Sequence, residues 1–335
     1  MFNEGFQSVT NNDGINRNVE VEIMRHERDF DPDSTDIKFE KIDSDSPEGI
    51  LLINTYDRLL SGCYEDVKKG KDGSSFVGSG NHAIVLRDPE KNFCMKVSWD
   101  MLLLNHKFRS NNRTFDLPDR LQGLHKINTY FNGSPTIEGI KQKRRRLINA
   151  NIEFKTPNSI KVEAAITEYV YDQFSKIGIK GVTPKVLSVF RYTNEEEGKT
   201  EYIEDYAVSE KIQAIHLGYI DGITVEQLIL DHPEEFLGHI DIEVFITELR
   251  RLIDLVHSFK VTHGDLSIRN VMIDRQTLMP RIIDFGAAQF SKNGLNQDEL
   301  KHDADGVENI SNLLRHFQND PQRAEEALRD RHSKL

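Results

Sequence analysis

The sequence predicts an α+β chain in two lobes, strand-rich over its first half with one inserted helix and helical over its second. Three observations carry this. Short apolar runs bounded by turn residues fill 76–98 and 186–220. Apolar residues recur at helical spacing over 242–259, at Val244, Phe245, Leu249, Leu252, Ile253 and Val256. The 335 residues, 37% hydrophobic and 29% charged, suffice for one large domain or two ordinary ones.

Taken in order, residues 1–75 are an acidic, partly disordered extension, poor in apolar periodicity and rich in Asn, Asp, Glu and Ser. Within it, 48–60 has enough apolar residues for a short helix. The first lobe covers 76–222. It starts with a strand at 76–77 running into Gly78-Ser79-Gly80, then strands at 82–86 and 93–98 around the turn Asp88-Pro89-Glu90-Lys91-Asn92. Residues 99–160 are polar and mixed, with prolines 118, 135 and 157, and form an insertion. A helix is expected over 162–177, and strands over 186–192, 201–208 and 212–220. The second lobe, 223–335, holds the helix 242–259, short strands at 271–274 and 281–283, and helices at 308–317 and 321–331.

Composition removes several function classes. No apolar run approaches the roughly 20 residues of a membrane span. The start Met1-Phe2-Asn3-Glu4 lacks a basic region and an apolar core, so no secretory signal is expected. Cys63 and Cys94 are too few for a disulfide framework or a zinc site, which suits a reducing compartment and a cytoplasmic location. The net charge of −12 opposes general nucleic-acid binding. The charge is uneven: residues 1–72 carry 17 acidic and 9 basic side chains, whereas 99–160 carry 5 acidic and 11 basic.

The chemistry concentrates in Thr262-His263-Gly264-Asp265-Leu266-Ser267-Ile268-Arg269-Asn270 and in Ile283-Asp284-Phe285-Gly286. Asp265 is suited to accept a proton from, or orient, an attacking hydroxyl. Asn270 and Asp284 are hard oxygen ligands of the kind that hold Mg²⁺ or Mn²⁺. Asp-Phe-Gly by itself reads more readily as a turn than as a site. The joint pattern is specific: His-x-Asp, Asn five residues on, a β-ribbon, then Asp284 14 residues after Asn270. It resembles the catalytic and metal-binding loops of the protein kinase superfamily, which implies a bilobal kinase-like fold with a minimal helical C-lobe.

That resemblance assigns roles upstream. Gly78-Ser79-Gly80-Asn81-His82-Ala83 resembles the glycine-rich loop that covers ATP phosphates, with Ala83 in place of the third glycine, and Val85 then packs on the adenine. Lys96 corresponds to the lysine that contacts the α- and β-phosphates. Its carboxylate partner is expected from the helix 162–177, with Glu168 preferred and Glu163 the fallback. His216-Leu217-Gly218-Tyr219-Ile220-Asp221-Gly222 resembles the hinge, with Leu217 as gatekeeper, backbone groups of Gly218, Tyr219 and Ile220 bonding adenine, and Met272 as the pocket floor. Asp305, or alternatively Asp303, is expected to bond the backbone of the catalytic loop.

Departures narrow the branch. Gly264 stands where many regulated kinases carry an arginine that reads a phosphate on the activation loop, and Ser267 replaces the usual catalytic-loop lysine. Only 49 residues follow Gly286, which suits a reduced C-lobe. The pattern is similar to compact atypical kinases, the RIO kinases and more closely the kinase of the KEOPS complex. The additions at 1–75 and 99–160 suit a divergent relative such as a bacterial effector kinase acting in a host cytoplasm. Lys141-Gln142-Lys143-Arg144-Arg145-Arg146 places five positive charges in six residues. It reads either as a solvated charge run or as a site for a polyanion, such as an inositol polyphosphate or an anionic lipid headgroup. The expected activity is ATP-dependent phosphoryl transfer to Ser/Thr of a protein substrate. A small-molecule kinase of the aminoglycoside or choline type, and an ATPase or pseudokinase binding module, are the alternatives.

Overall fold

The computed structural model describes residues 19–26, 39–43, 45–52, 76–79, 83–87, 93–98, 160–194, 212–231, 236 and 238–334. Gly80, the basic run Lys141–Arg146 and the strand expected at 201–208 lie outside them. Seven strands make one antiparallel sheet: β1 (Val19–His26), β2 (Phe39–Ile42), β3 (Phe76–Ser79), β4 (Ala83–Arg87), β5 (Phe93–Ser98), β6 (Val186–Asn194) and β7 (Ile212–Gly218). Their order is β2-β1-β6-β7-β5-β4-β3. The first two strands lie in the stretch read from the sequence as partly disordered. Of the helix expected at 48–60, residues 48–52 are helical, the helical turn starting at residue 47, and the rest lies outside the described residues.

Register decides which side chains share a face. Leu86 pairs with Met95, and both are fully buried. The alternate residues Val85, paired with Lys96, and Arg87, paired with Cys94, lie on the opposite face. Across β7, Lys96 pairs with Ile215 and Cys94 with Leu217. Ile215 packs with Ala164 of helix α1 (Ile160–Lys176), along with Val186 and Val189. So α1 lies on the sheet face that carries Lys96.

The same helix meets the second part of the chain. Ile166, Val170 and Phe174 join the main core with α2 (Val225–Asp231), α3 (Ile242–Ser258), α4 (Gln297–Asn319) and α5 (Pro321–Lys334). In α3, Ile242, Phe245, Ile246, Leu249, Leu252, Ile253 and Val256 are buried, one continuous stripe of an amphipathic helix. Asp241 caps it by accepting the Val244 N–H at 3.0 Å. Asn296 caps α4 in the same way through Asp298. Short strands hold the intervening loops: β8 (Gly222–Thr224), β10 (Val271–Asp274) and β11 (Pro280–Ile282) form one sheet, and β9 (Val261–Thr262) pairs with β12 (Gln289–Phe290). Among the described residues no helix is long and apolar enough to cross a membrane.

Candidate active site

Three chain segments meet at Lys96. Its Nζ donates to Glu163 Oε1 of α1 and to Asp284 Oδ1, each at 2.7 Å. The lysine and Glu163 side chains are 13% and 7% exposed, whereas Asp284 is 40% exposed, so the trio opens on the Asp284 side. Burial alone would lower the lysine pKa, but the two carboxylates outweigh it and hold Lys96 charged. Burial would likewise raise Asp284, yet the Lys96 ammonium and the Gly286 N–H keep its carboxyl below the usual range. Asp284 has a φ of +64°, a left-handed conformation that costs about 1–3 kcal/mol for a residue other than glycine. Phe285, fully buried in the main core, anchors the backbone that carries it.

The loop 263–270 is built from its own polar groups. His263 is fully buried and its Nε2 lies 3.0 Å from the Ile283 carbonyl. A carbonyl only accepts, so Nε2 carries the proton, and Nδ1 accepts the Asp265 N–H at 3.3 Å. Asn270 Nδ2 donates to the Asp265 carbonyl at 2.7 Å and to its Oδ2 at 3.1 Å. The exposed Asp265 carboxylate is thereby held by a buried amide.

Helix α4 supports this loop from beneath. Asp303 is fully buried, and its two oxygens accept the N–H groups of His263 at 2.7 Å and Gly264 at 2.9 Å; Oδ2 also lies 2.9 Å from His257 Nε2. The loop-bonding aspartate is therefore Asp303, and Asp305 is exposed on the other side of the helix. One turn on, a Cβ at Gly306 would stand 2.6 Å from the Leu266 carbonyl, so glycine lets the helix approach closely enough for Asp303 to reach. Gly264 has a φ of +76°, and a Cβ there would meet the Ala287 carbonyl at 2.2 Å. The place read as a lost arginine is one that admits only glycine.

The remaining sequence-named residues fall around the trio as follows. Gly78 and Ser79 of β3 pair with Val85 and Ile84. Val85 and Lys96 are cross-strand neighbours on one face. Leu217 packs beside Val186 and Ile215. Gly218 ends β7 and gives its N–H to the Lys185 carbonyl at 2.8 Å, so that group is already taken. Tyr219 and Ile220 follow outside any strand or helix, with the Arg87 guanidinium 3.8 Å above the Tyr219 ring. Met272 is nearly buried on β10, opposite Thr224 and Arg281. Glu168 does not reach Lys96: its Oε2 accepts the Val186 N–H at 2.8 Å. The partner is Glu163, 67 residues from Lys96. What marks Glu163 is the contact of α1 with the sheet at that turn, where its neighbour Ala164 is fully buried with Ile215, Val186 and Val189.

The donor set suits a hard divalent cation. Asn270 spends Nδ2 on Asp265 and Asp284 spends Oδ1 on Lys96 and Gly286, so Asn270 Oδ1 and Asp284 Oδ2 are the oxygens that could hold such an ion. Among the described residues no three His, Cys, Asp or Glu side chains cluster as a metal site. Two protein oxygens supplemented by phosphate and water are the sparse arrangement that Mg²⁺ favours.

Two short stretches of similarity point the same way. Over 75 residues, 22% of this chain and 13% of that protein, the sequence is 35% identical to a probable serine/threonine-protein kinase, fnkB, of Dictyostelium discoideum. Over 79 residues, 24% of this chain and 31% of that protein, it is 30% identical to the EKC/KEOPS complex subunit bud32 of the same organism. The chain spans less than a third of the length of either relative. No family model matches the chain. The similarity is protein-kinase-like and suggests a phosphotransferase, in a fold whose helices and antiparallel sheets are compatible with it.

Proposed function

We propose that the chain is an ATP-dependent phosphotransferase of bilobal kinase-like build, acting on Ser/Thr of a protein acceptor. The observation that carries this is the Lys96 ammonium held between Glu163 and Asp284 at 2.7 Å from each. A buried, permanently charged lysine beside a half-open carboxylate is suited to anionic phosphates, because the charge is placed before the substrate arrives. In this reading Lys96 holds ATP phosphates beneath the strand end Gly78–Ser79, and Glu163 fixes the lysine. Adenine lies against Val85, Leu217 and Met272, with the Gly218 carbonyl and the Tyr219 and Ile220 backbone bonding its edge. Asn270 and Asp284 hold Mg²⁺ or Mn²⁺, which when bound neutralises charge on the phosphates. Asp265, steadied by Asn270 through Oδ2, offers Oδ1 to the acceptor hydroxyl and orients it for in-line attack.

The reading extends to a soluble enzyme of the cytoplasm, of a host cell if the chain is a bacterial effector, with Lys141, Lys143, Arg144, Arg145 and Arg146 as an activating polyanion site. The experiment is incubation with labelled ATP and Mg²⁺ or Mn²⁺, with protein acceptors, with small-molecule alcohols, and with or without inositol hexakisphosphate. Label on Ser/Thr is expected, and Asp265→Ala and Asp284→Ala should each lower it by at least 10³-fold without unfolding the chain. Wild-type transfer in either variant rejects the assignment. Label only on small alcohols, or only free phosphate, moves the activity to a small-molecule kinase or an ATPase.

A further inference from the structure

Glu168 lies one and a half turns beyond Glu163 on α1, and its partner is the N–H of Val186, the first residue of β6. The connector between α1 and β6 makes two main-chain bonds to later strands of the chain. Lys185 gives its carbonyl to the Gly218 N–H at the end of β7, and Val182 gives its carbonyl to the Ile282 N–H, each at 2.8 Å. Ile282 ends β11, two residues before Asp284. One short connector is thus bonded to α1, to the end of β7 and to the strand that leads into Asp284. Main-chain bonds hold the last two and the end of α1, where the Ile179 N–H donates to the Phe174 carbonyl at 2.9 Å; the Glu168 side chain ties the middle of α1 to the start of β6.

We propose that Glu168 is a positioning residue: by accepting the Val186 N–H it locks α1 to the connector and so sets where Glu163 stands against Lys96. The catalytic consequence rests on the phosphotransferase reading above; the lock itself does not. The charged groups near Glu168 are Asp172, one turn on along α1, and Lys185 of the connector. On β7 the titratable group is His216, which is engaged by Ser188 and by the Phe93 ring. Burial pushes the Glu168 carboxyl up to about 7, against the Val186 N–H, with Asp172 adding to the rise and Lys185 opposing it. Because the locked, buried carboxyl binds its proton more tightly than an exposed one, the lock is firmest below the ordinary carboxylate range and weakens as pH rises through about 7.

The test uses Glu168→Gln, which keeps an acceptor oxygen without a titrating charge, and Glu168→Leu, which removes the acceptor. In wild type the Val186 amide resonance should move with a midpoint near pH 7 and stay flat in E168Q. Thermal midpoints should be less than additive when E168L is combined with E163Q, because an unlocked helix no longer holds Glu163 in its pair. In transfer assays E168L should lose roughly 10²-fold in kcat/KM. E168Q should restore most of it while losing the fall in kcat as pH rises through about 7. A flat Val186 amide in wild type, strict additivity, or a pH profile unchanged in E168Q overturns the proposal. A titrating amide with coupled midpoints but no phosphoryl transfer in wild type upholds the lock and rejects the phosphotransferase reading instead.

Discussion

Asp303 accepts hydrogen bonds from His263 and Gly264 N–H groups and from His257 while wholly shielded from water. Burial would raise its pKa, but the His257 bond and then the two N–H groups win, and the carboxyl titrates below its usual range. A depressed folded-state value means that its stabilisation is complete above the unfolded value of about 4 and drains as pH falls through the lower folded value. Removing the carboxylate strands two buried donors. Asp303→Ala is expected to lower unfolding free energy by about 3 kcal/mol in urea titrations at pH 7. Asp303→Asn should lose less and flatten the acid limb of the stability curve. The residue could have been found by periodicity: positions 303, 307, 310, 314 and 317 share one face of α4, and Asp305 falls off it. An acidic residue on an otherwise apolar stripe is the sign of an internal bond. Glu163 was harder to see, since motif spacing favours Glu168 and only contact between α1 and the sheet distinguishes them.

Helix α4 shows why some elements escape pattern reading. Helix α3 is marked by its apolar stripe, and the expected 242–259 nearly matches Ile242–Ser258. For α4 the expectation was 308–317, whereas the helix runs Gln297–Asn319. The first half of its inward face carries Asp303 and Gly306, which serve the loop above, so the apolar stripe becomes continuous only from Val307 onward and marks the second half of the helix alone. Strand β1 is the opposite case: Val19, Val21 and Ile23 alternate with Glu20 and Glu22, a period of two hidden by the acidic composition around it. The close approach at Gly306 yields a prediction. Gly→Ala inside a helix ordinarily stabilises by about 1 kcal/mol. Here the new methyl meets the Leu266 carbonyl, so Gly306→Ala is expected to lower the thermal midpoint and reduce transfer by displacing the loop that holds Asp265. An unchanged or raised midpoint with full activity would show that the approach is not limiting.

The strand order and the meeting of Lys96 with Asp284, 188 residues apart, arise only in the assembled chain. Sequence motifs named both residues, but the distance between them belongs to the fold. Ligand binding should report on that assembly. At a hundred times its dissociation constant, ATP with Mg²⁺ is expected to stabilise the chain by about 2.7 kcal/mol. EDTA should remove most of the gain, and Asp284→Asn should abolish the metal-dependent part. A midpoint indifferent to nucleotide and metal would contradict the proposed site. The wide separation of the trio also bears on synthesis. A chain emerging from the ribosome presents Lys96 early and Glu163 next, and the counter-charge of Asp284 follows only 188 residues after the lysine. Until then the trio is incomplete, so on the proposed reading a ribosome-bound intermediate cannot transfer phosphate.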